Sequence, residues 1–205
     1  MKKFYTSIPL QKPGQLGRYL YEPVGNEKLR MDRMTSFPIL AAVQGYVETG
    51  EAFRLVAVMP ETEDGRRNLE ALRKELSELC AAKGIFCENG VEIVEAPADE
   101  RVSSHVDTFQ RLIDLADDED ELFACLTYGT KPQSMAVLMG VKYAYRVKEN
   151  TALGCIVYGQ IDRSQGERAF IYDETALVQM DEIVRILADR RVANPKKVID
   201  SLLSL

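Results

Sequence analysis

Gly129, Thr130, Lys131, Pro132, Gln133 and Ser134 stand between two apolar runs, one from Leu122 to Leu126 and one from Met135 to Met139. The first run is short and unbroken, as in a buried parallel strand, and the second, behind Pro132, reads as a buried helix. Gly129 suits a tight turn and Pro132 suits the first turn of a helix. A strand that turns sharply into a helix aims free backbone N–H groups and the positive end of a helix dipole at one spot. Phosphate binds at such a spot. Thr127, Tyr128, Gly129, Thr130, Lys131, Gln133 and Ser134 are therefore the candidate ligand residues, and the expected ligand is a nucleotide-like anion.

Other chemistries find less support. The dinucleotide fingerprint G-x-G-x-x-G and the P-loop pattern are both absent, which argues against a standard NAD enzyme or an ATPase. His105 is the single histidine of the chain, so a multi-histidine metal site is impossible within it and no His-based triad is indicated. His105 is expected on the surface, near a helix start. Asp117, Asp118, Glu119, Asp120 and Glu121 are read as a solvated loop rather than a metal site. No cofactor and no metal are expected.

The chain has 205 residues, a net charge of −6 and a pI of about 5.0. That balance argues against a surface that grips long nucleic acid, but not against a local basic pocket. Cys80, Cys87, Cys125 and Cys155 lack zinc-type spacing and read as reduced thiols of a cytoplasmic protein. The N-terminal segment makes a poor signal peptide, and no apolar run is long enough to span a bilayer.

The elements that must position the loop follow from periodicity. Strands are expected at Lys2–Ser7, Phe53–Met59, Val91–Val94, Leu122–Thr127, Leu153–Tyr158 and Ala169–Tyr172. A polar loop should run from the first strand to about Gly25. Ser36 is expected to cap a helix that has Pro38 near its start and Gly50 past its end. Further helices are expected at about Gly65–Lys83, Ser104–Ala116, behind Pro132, at Glu174–Arg190 and from Asn194 onward. Strands alternating with helices of this length give an α/β fold, Rossmann-like and doubly wound, with a mostly parallel central sheet and helices on both faces. Ligands of such sheets bind beyond the carboxyl ends of the strands. That places the loop from Ser7 to Gly17 and the Thr127–Ser134 loop on one rim.

Cys125-Leu126-Thr127-Tyr128-Gly129-Thr130-Lys131 resembles the signature of the CARF family, the CRISPR-associated Rossmann-fold ligand-binding domains. Their pattern is Asp or Asn, then Ser or Thr two residues later, then Lys or Arg four further on. Thr127 and Lys131 match, and Gly129-Thr130-Lys131-Pro132 matches a common version of the loop. Cys125 departs from it. Ile156-Val157-Tyr158-Gly159 and the segment from Ile171 to Leu177 are similar to later parts of the same fold.

The resemblance implies a ligand-binding domain over residues 1–190, with residues 191–205 as a short helical appendage. It also implies a CRISPR type III, antiviral role in which a homodimer binds a cyclic oligoadenylate of four or six units. Fifteen residues follow Arg190, which reads as a stand-alone member. Such members include ring nucleases, in which a ribose 2′-hydroxyl attacks the adjacent phosphate without metal. Lys131 and Ser7 are then the catalytic candidates. Thr6, Ser7 and Gln11 join the Thr127–Ser134 loop as ligand contacts, and Lys12 lies close by. Two alternatives stay open: a non-catalytic sensor or sponge acting through a partner, and an unrelated α/β enzyme of a small nucleotide phosphate.

Overall fold

The structure is a computed structural model and describes every residue except Gln165 and Leu205. Leu205, the last residue of the expected appendage, thus lies outside the described residues. Two compact units make up the chain, Met1–Asp173 and Glu174–Leu205.

The first unit is built on one seven-stranded sheet. Its strands are β1 (Lys2–Ser7), β2 (Tyr21–Val24), β3 (Ala52–Pro60), β4 (Phe86–Ala96), β5 (Glu121–Cys125), β6 (Ala152–Asp162) and β7 (Arg168–Asp173). They lie in the order β2-β7-β6-β5-β1-β3-β4. Neighbours run parallel except β6 and β7, which pair as an antiparallel hairpin. This is the mostly parallel, Rossmann-like α/β fold expected from the pattern of elements.

Alternation along the strands assigns the two faces. Phe4, Phe53, Leu55, Phe123 and Cys125 share one core with α1 (Ile39–Tyr46) and α2 (Glu63–Lys83). In that core Phe4 stacks on Phe123 with ring centres 4.5 Å apart and meets Phe53 edge-on at 5.5 Å. Lys3, Tyr5 and Ser7 point to the opposite face, which carries α3 (Val102–Asp114) and α4 (Lys131–Val147). Both faces are thus covered, which is why the central strands read as continuous apolar runs. Thr62 caps α2 by accepting from Gly65 N at 3.0 Å, and Gly84, at φ +67°, ends it.

Several boundaries differ from the sequence reading. The segment expected as a loop to Gly25 contains β2, whose neighbour β7 is distant in sequence, and a 3-10 turn follows at Glu27–Leu29. Ser36 does not cap α1: Pro38 holds the cap position with no side-chain hydrogen bond, and the helix ends at Tyr46. Ser36 instead offers its backbone N–H to Glu75 and its carbonyl to Tyr128. β4 is eleven residues long rather than four. Its polar Glu88-Asn89-Gly90 stretch, with Asn89 and Gly90 both at positive φ, breaks the apolar pattern that a strand signal needs.

The acidic run is not wholly solvated. Asp120 is 2% exposed and Lys3 is fully buried; Lys3 Nζ lies 2.7 Å from Asp120 and 2.9 Å from Asp117 and donates to the Leu115 carbonyl at 2.6 Å. His105 is half-buried rather than a surface residue, with Nε2 3.5 Å from Glu100 Oε2.

The second unit holds α5 (Thr175–Asp189) and α6 (Pro195–Leu203). Along α5, Arg185 joins Glu182 at 3.1 Å and Asp189 at 2.8 Å. Asn194, at φ +59°, turns the chain into α6. Among the described residues no helix is long and apolar enough to cross a membrane.

Candidate functional site

Topology itself marks a site. β1 lies between β3 and β5, and the chain leaves β1 along the face of α2, reaching β2 before α1, but leaves β5 toward α4 on the other face. Two adjacent strands whose loops depart to opposite faces leave a crevice at their carboxyl ends, the switch point where parallel α/β sheets bind ligands. A cleft of about 420 Å³ occupies this place, walled by Pro9, Leu10, Gln11 and Gln15 after β1 and by Thr127, Tyr128, Gly129 and Thr130 after β5.

Local chemistry fixes the second wall. Thr130 caps α4 in a reciprocal capping box: its Oγ1 accepts from Gln133 N at 3.4 Å, and its own N–H donates to Gln133 Oε1 at 3.2 Å. Gln133 is accordingly buried, while Pro132 supplies a helical φ in the first turn. Gly129 has φ +94°, and a Cβ there would stand 3.0 Å from both Cβ and Oγ of Ser7. The β1 and β5 loops therefore touch at this glycine. Ser7 Oγ beneath it is buried and has no hydrogen-bond partner among the described residues.

Thr127 joins the loop to the sheet. Its Oγ1 accepts from Gly159 N at 2.7 Å and from the Cys125 thiol at 3.2 Å. Burial raises the Cys125 pKa, so this thiol stays protonated and able to donate. With both lone pairs of Thr127 engaged, its own hydroxyl hydrogen is what it has left to offer. Tyr128 lines the cleft, but its hydroxyl is engaged by the protein: it donates to Ser36 O at 2.7 Å, its ring meets Phe37 edge-on, and burial, then the nearby Tyr21, push its pKa well above the ordinary phenol value. Ser134 Oγ donates to the Tyr128 carbonyl at 3.4 Å.

The structure thus brings Ser7, Gln11, Thr127, Tyr128, Gly129, Thr130 and Gln133 together. Lys131 stands exposed at the first position of α4, where neither its ammonium nor its backbone N–H has a partner among the described residues. Thr6 is buried on the α1 face beside Cys125 and does not line the cleft; Lys12 lies on the outer side of the first wall. Sequence reasoning missed Pro9, Leu10 and Gln15 as lining, and Asn68 and Arg67 as supports of the first wall. Asn68 did leave a signal, since it lies four residues before Leu72 on the buried stripe of α2, where a polar residue needs a reason.

Chemically, the second wall offers the Thr127 hydroxyl and the Gly129 N–H, and the positive end of the α4 dipole and the exposed Lys131 follow directly after it. Such a set suits an anion. Among the described residues no three histidine, cysteine or carboxylate side chains converge as a metal site. Fold and cleft together define a mostly parallel α/β protein with a donor-lined crevice at its switch point. The sequence matches no protein-family model and no characterised protein.

The Thr127 contacts make a first prediction. Thr127→Val keeps the shape but leaves the buried Gly159 N–H unpaired, and should lower stability by about 1–3 kcal/mol in urea unfolding. Thr127→Ser should stay within about 1 kcal/mol of the parent, since one hydroxyl replaces another. A larger loss for Thr127→Ser than for Thr127→Val would show that the methyl group, not the hydrogen bond, is what matters.

Proposed function

We propose that this protein binds a cyclic oligoadenylate at the switch-point cleft and opens the ring without metal. One observation carries the reading: hydrogen-bond donors gather at Thr127, Gly129 and Lys131 at the start of α4, in a chain that is otherwise acidic. A local cluster of this kind holds phosphate whatever the net charge of the whole. A cleft of about 420 Å³ is at the small end of ligand sites and accommodates part of such a ring rather than all of it. Two chains facing each other rim to rim would supply two clefts to one ring, so the bound stoichiometry should be one ring per two chains. The four cysteines, none of them in a disulfide, support a reducing, cytoplasmic setting for this activity.

In the reaction the ring supplies its own nucleophile. A ribose 2′-oxygen forms a bond to the adjacent phosphorus and gives up its proton. The bond from phosphorus to the 5′-oxygen breaks and that oxygen takes up a proton, leaving a 2′,3′-cyclic phosphate and a 5′-hydroxyl. The protein holds the in-line geometry and stabilises charge on the phosphate, a task for Lys131 and the N–H groups beside it. Binding without turnover is a second reading. It is favoured by the engagement of Thr127, Tyr128 and Ser134 with the protein's own groups, which leaves none of these three hydroxyls placed as a base.

The test uses the purified protein without metal, with labelled cyclic tetra-adenylate and hexa-adenylate. Retention with products ending in a cyclic phosphate supports the enzyme, and retention of an intact ring supports the sensor. Failure to bind either ring overturns both. Lys131→Ala should weaken binding by about tenfold or more through loss of a charge-assisted contact. Its melting temperature should match the parent, because the side chain is exposed and unpaired.

A further inference from the structure

The first wall of the cleft is suspended from α2. After β1 the chain keeps one sheet-like bond, Ile8 N to Val58 O at 2.8 Å. Beyond it, the Asn68 amide Nδ2 donates to two carbonyls of the wall, Pro9 O at 2.8 Å and Gln11 O at 3.0 Å. Arg67 adds a third bond, from Nη2 to Gln11 O at 2.6 Å, while its Nη1 is held by Asp64 at 2.5 Å. Asn68 is 3% exposed, so both of its amide hydrogens are spent on this one segment and none on solvent. Gln11 itself lines the cleft, opposite Gly129 and Thr130.

The two walls differ in how they are fixed. The Thr127–Thr130 wall is held by its own capping box and by the sheet, and is tied to α2 through Tyr128, whose hydroxyl meets Ser36 O while the Ser36 N–H meets Glu75, rather than through Asn68 or Arg67. The Pro9–Gln15 wall takes its place from two side chains on a neighbouring helix. The gap between them therefore depends on Asn68, whereas the placement of Gly129 and of Lys131 at the start of α4 does not.

We infer that Asn68, backed by Arg67, is the positioning residue of this cleft: it sets the distance of the Pro9–Gln15 wall from the Gly129–Lys131 wall and thereby selects the size of ring admitted. This rests on the reading that the ligand is a cyclic oligoadenylate. A phosphate contact is common to every ring, but the span across the cleft is a property of ring size. Asn68 is thus a determinant of specificity that touches no ligand atom.

Two measurements test it. Hydrogen exchange, read by mass spectrometry on the free protein, should quicken over residues 10–16 in Asn68→Ala, and to a lesser degree in Arg67→Ala, with residues 2–7 and 127–135 unchanged. Unchanged exchange over residues 10–16 in both variants overturns the clamp, whatever the ligand proves to be. Affinities for cyclic tetra- and hexa-adenylate are then compared in parent, Asn68→Ala, Arg67→Ala and Lys131→Ala. Loosening the wall should cost about tenfold on the preferred ring, the worth of one or two hydrogen bonds, and little on the other, so that their ratio shrinks. Lys131→Ala should weaken both rings alike. A ratio unmoved in both clamp variants overturns the specificity role even if binding falls. If the parent binds neither ring, the ligand reading and the ring-size role fall together, while the exchange result still decides the clamp. Arg67→Ala, at a half-exposed position, keeps the test decisive should Asn68→Ala not fold.

Discussion

Lys3→Ala should destabilise this protein more than any other single change considered. Lys3 is fully buried on β1, and its ammonium lies 2.7 Å from Asp120, itself 2% exposed, and 2.9 Å from Asp117. Removing the cation leaves the Asp120 carboxylate buried, with the chain's amino terminus at 3.6 Å, the Asp117 N–H at 2.9 Å and the more distant Arg54 charge to compensate it. Breaking a buried pair from one side costs about 3–5 kcal/mol, a large share of the roughly 5–15 kcal/mol that holds a domain together. Urea unfolding of Lys3→Ala should show a loss in that range. The double variant Lys3→Met, Asp120→Leu should recover much of it, because apolar replacement of both partners removes the stranded charge. A loss below about 1 kcal/mol in the single variant would mean that water reaches Asp120 and that the pair is not the keystone of this end of the sheet.

Acid sensitivity should change with it. The hydrogen bond from Lys3 holds the Asp117 carboxyl below the usual carboxylate range, with Lys3 and Arg54 charges adding to the effect and burial opposing it. A carboxyl whose folded pKa is depressed stabilises fully above its unfolded pKa of about 3.9, and that contribution is lost as pH falls through the folded value. In Lys3→Ala this part of the acid dependence should largely disappear. It will be a modest part, since the Asp117 side chain is 65% exposed and screened by solvent.

Gly129→Ala should cost stability and, if the proposed function holds, weaken ligand binding. Two penalties coincide at this residue. Its φ of +94° is a region that side chains rarely adopt, and the new Cβ would sit 3.0 Å from Ser7 Cβ and Oγ and 3.1 Å from Gln133 Oε1. Backbone strain of this kind is worth about 1–3 kcal/mol. The contact acts further, since displacing Gln133 Oε1 opens the capping box that fixes the start of α4. Gly50→Ala is the control, because Gly50 has φ +84° with nothing within 4 Å of its Cβ position. Gly129→Ala should therefore lose more stability than Gly50→Ala, and should lose affinity for cyclic tetra- or hexa-adenylate by more than about tenfold. Equal stability losses would show that the close approach of the two loops carries no weight.

Much of this was written in the chain itself. Leu122–Leu126 announced a buried strand, Pro132 a helix start and Gly129 a tight turn, because those signals depend on nearby residues only. The α2 stripe of Leu69, Leu72, Leu76 and Leu79, closed by Gly84, was equally local, and so the α/β class with its loop on the carboxyl rim could be read directly. Tertiary structure decided the rest. β2 is a strand because β7, far along the chain, pairs with it, and a four-residue edge carries little periodicity of its own. Asp120 became a buried partner because β1 lies beside β5 and brings Lys3 against it; from composition, five acids in a row read as solvent-facing. Asn68 and Gln11 are 57 residues apart, and nothing local in either joins them. Periodicity reports what a segment buries, whereas the partner it buries against is set by the folded sheet. That difference is why the loop that would bind a ligand was legible and the clamp that places its opposite wall was not.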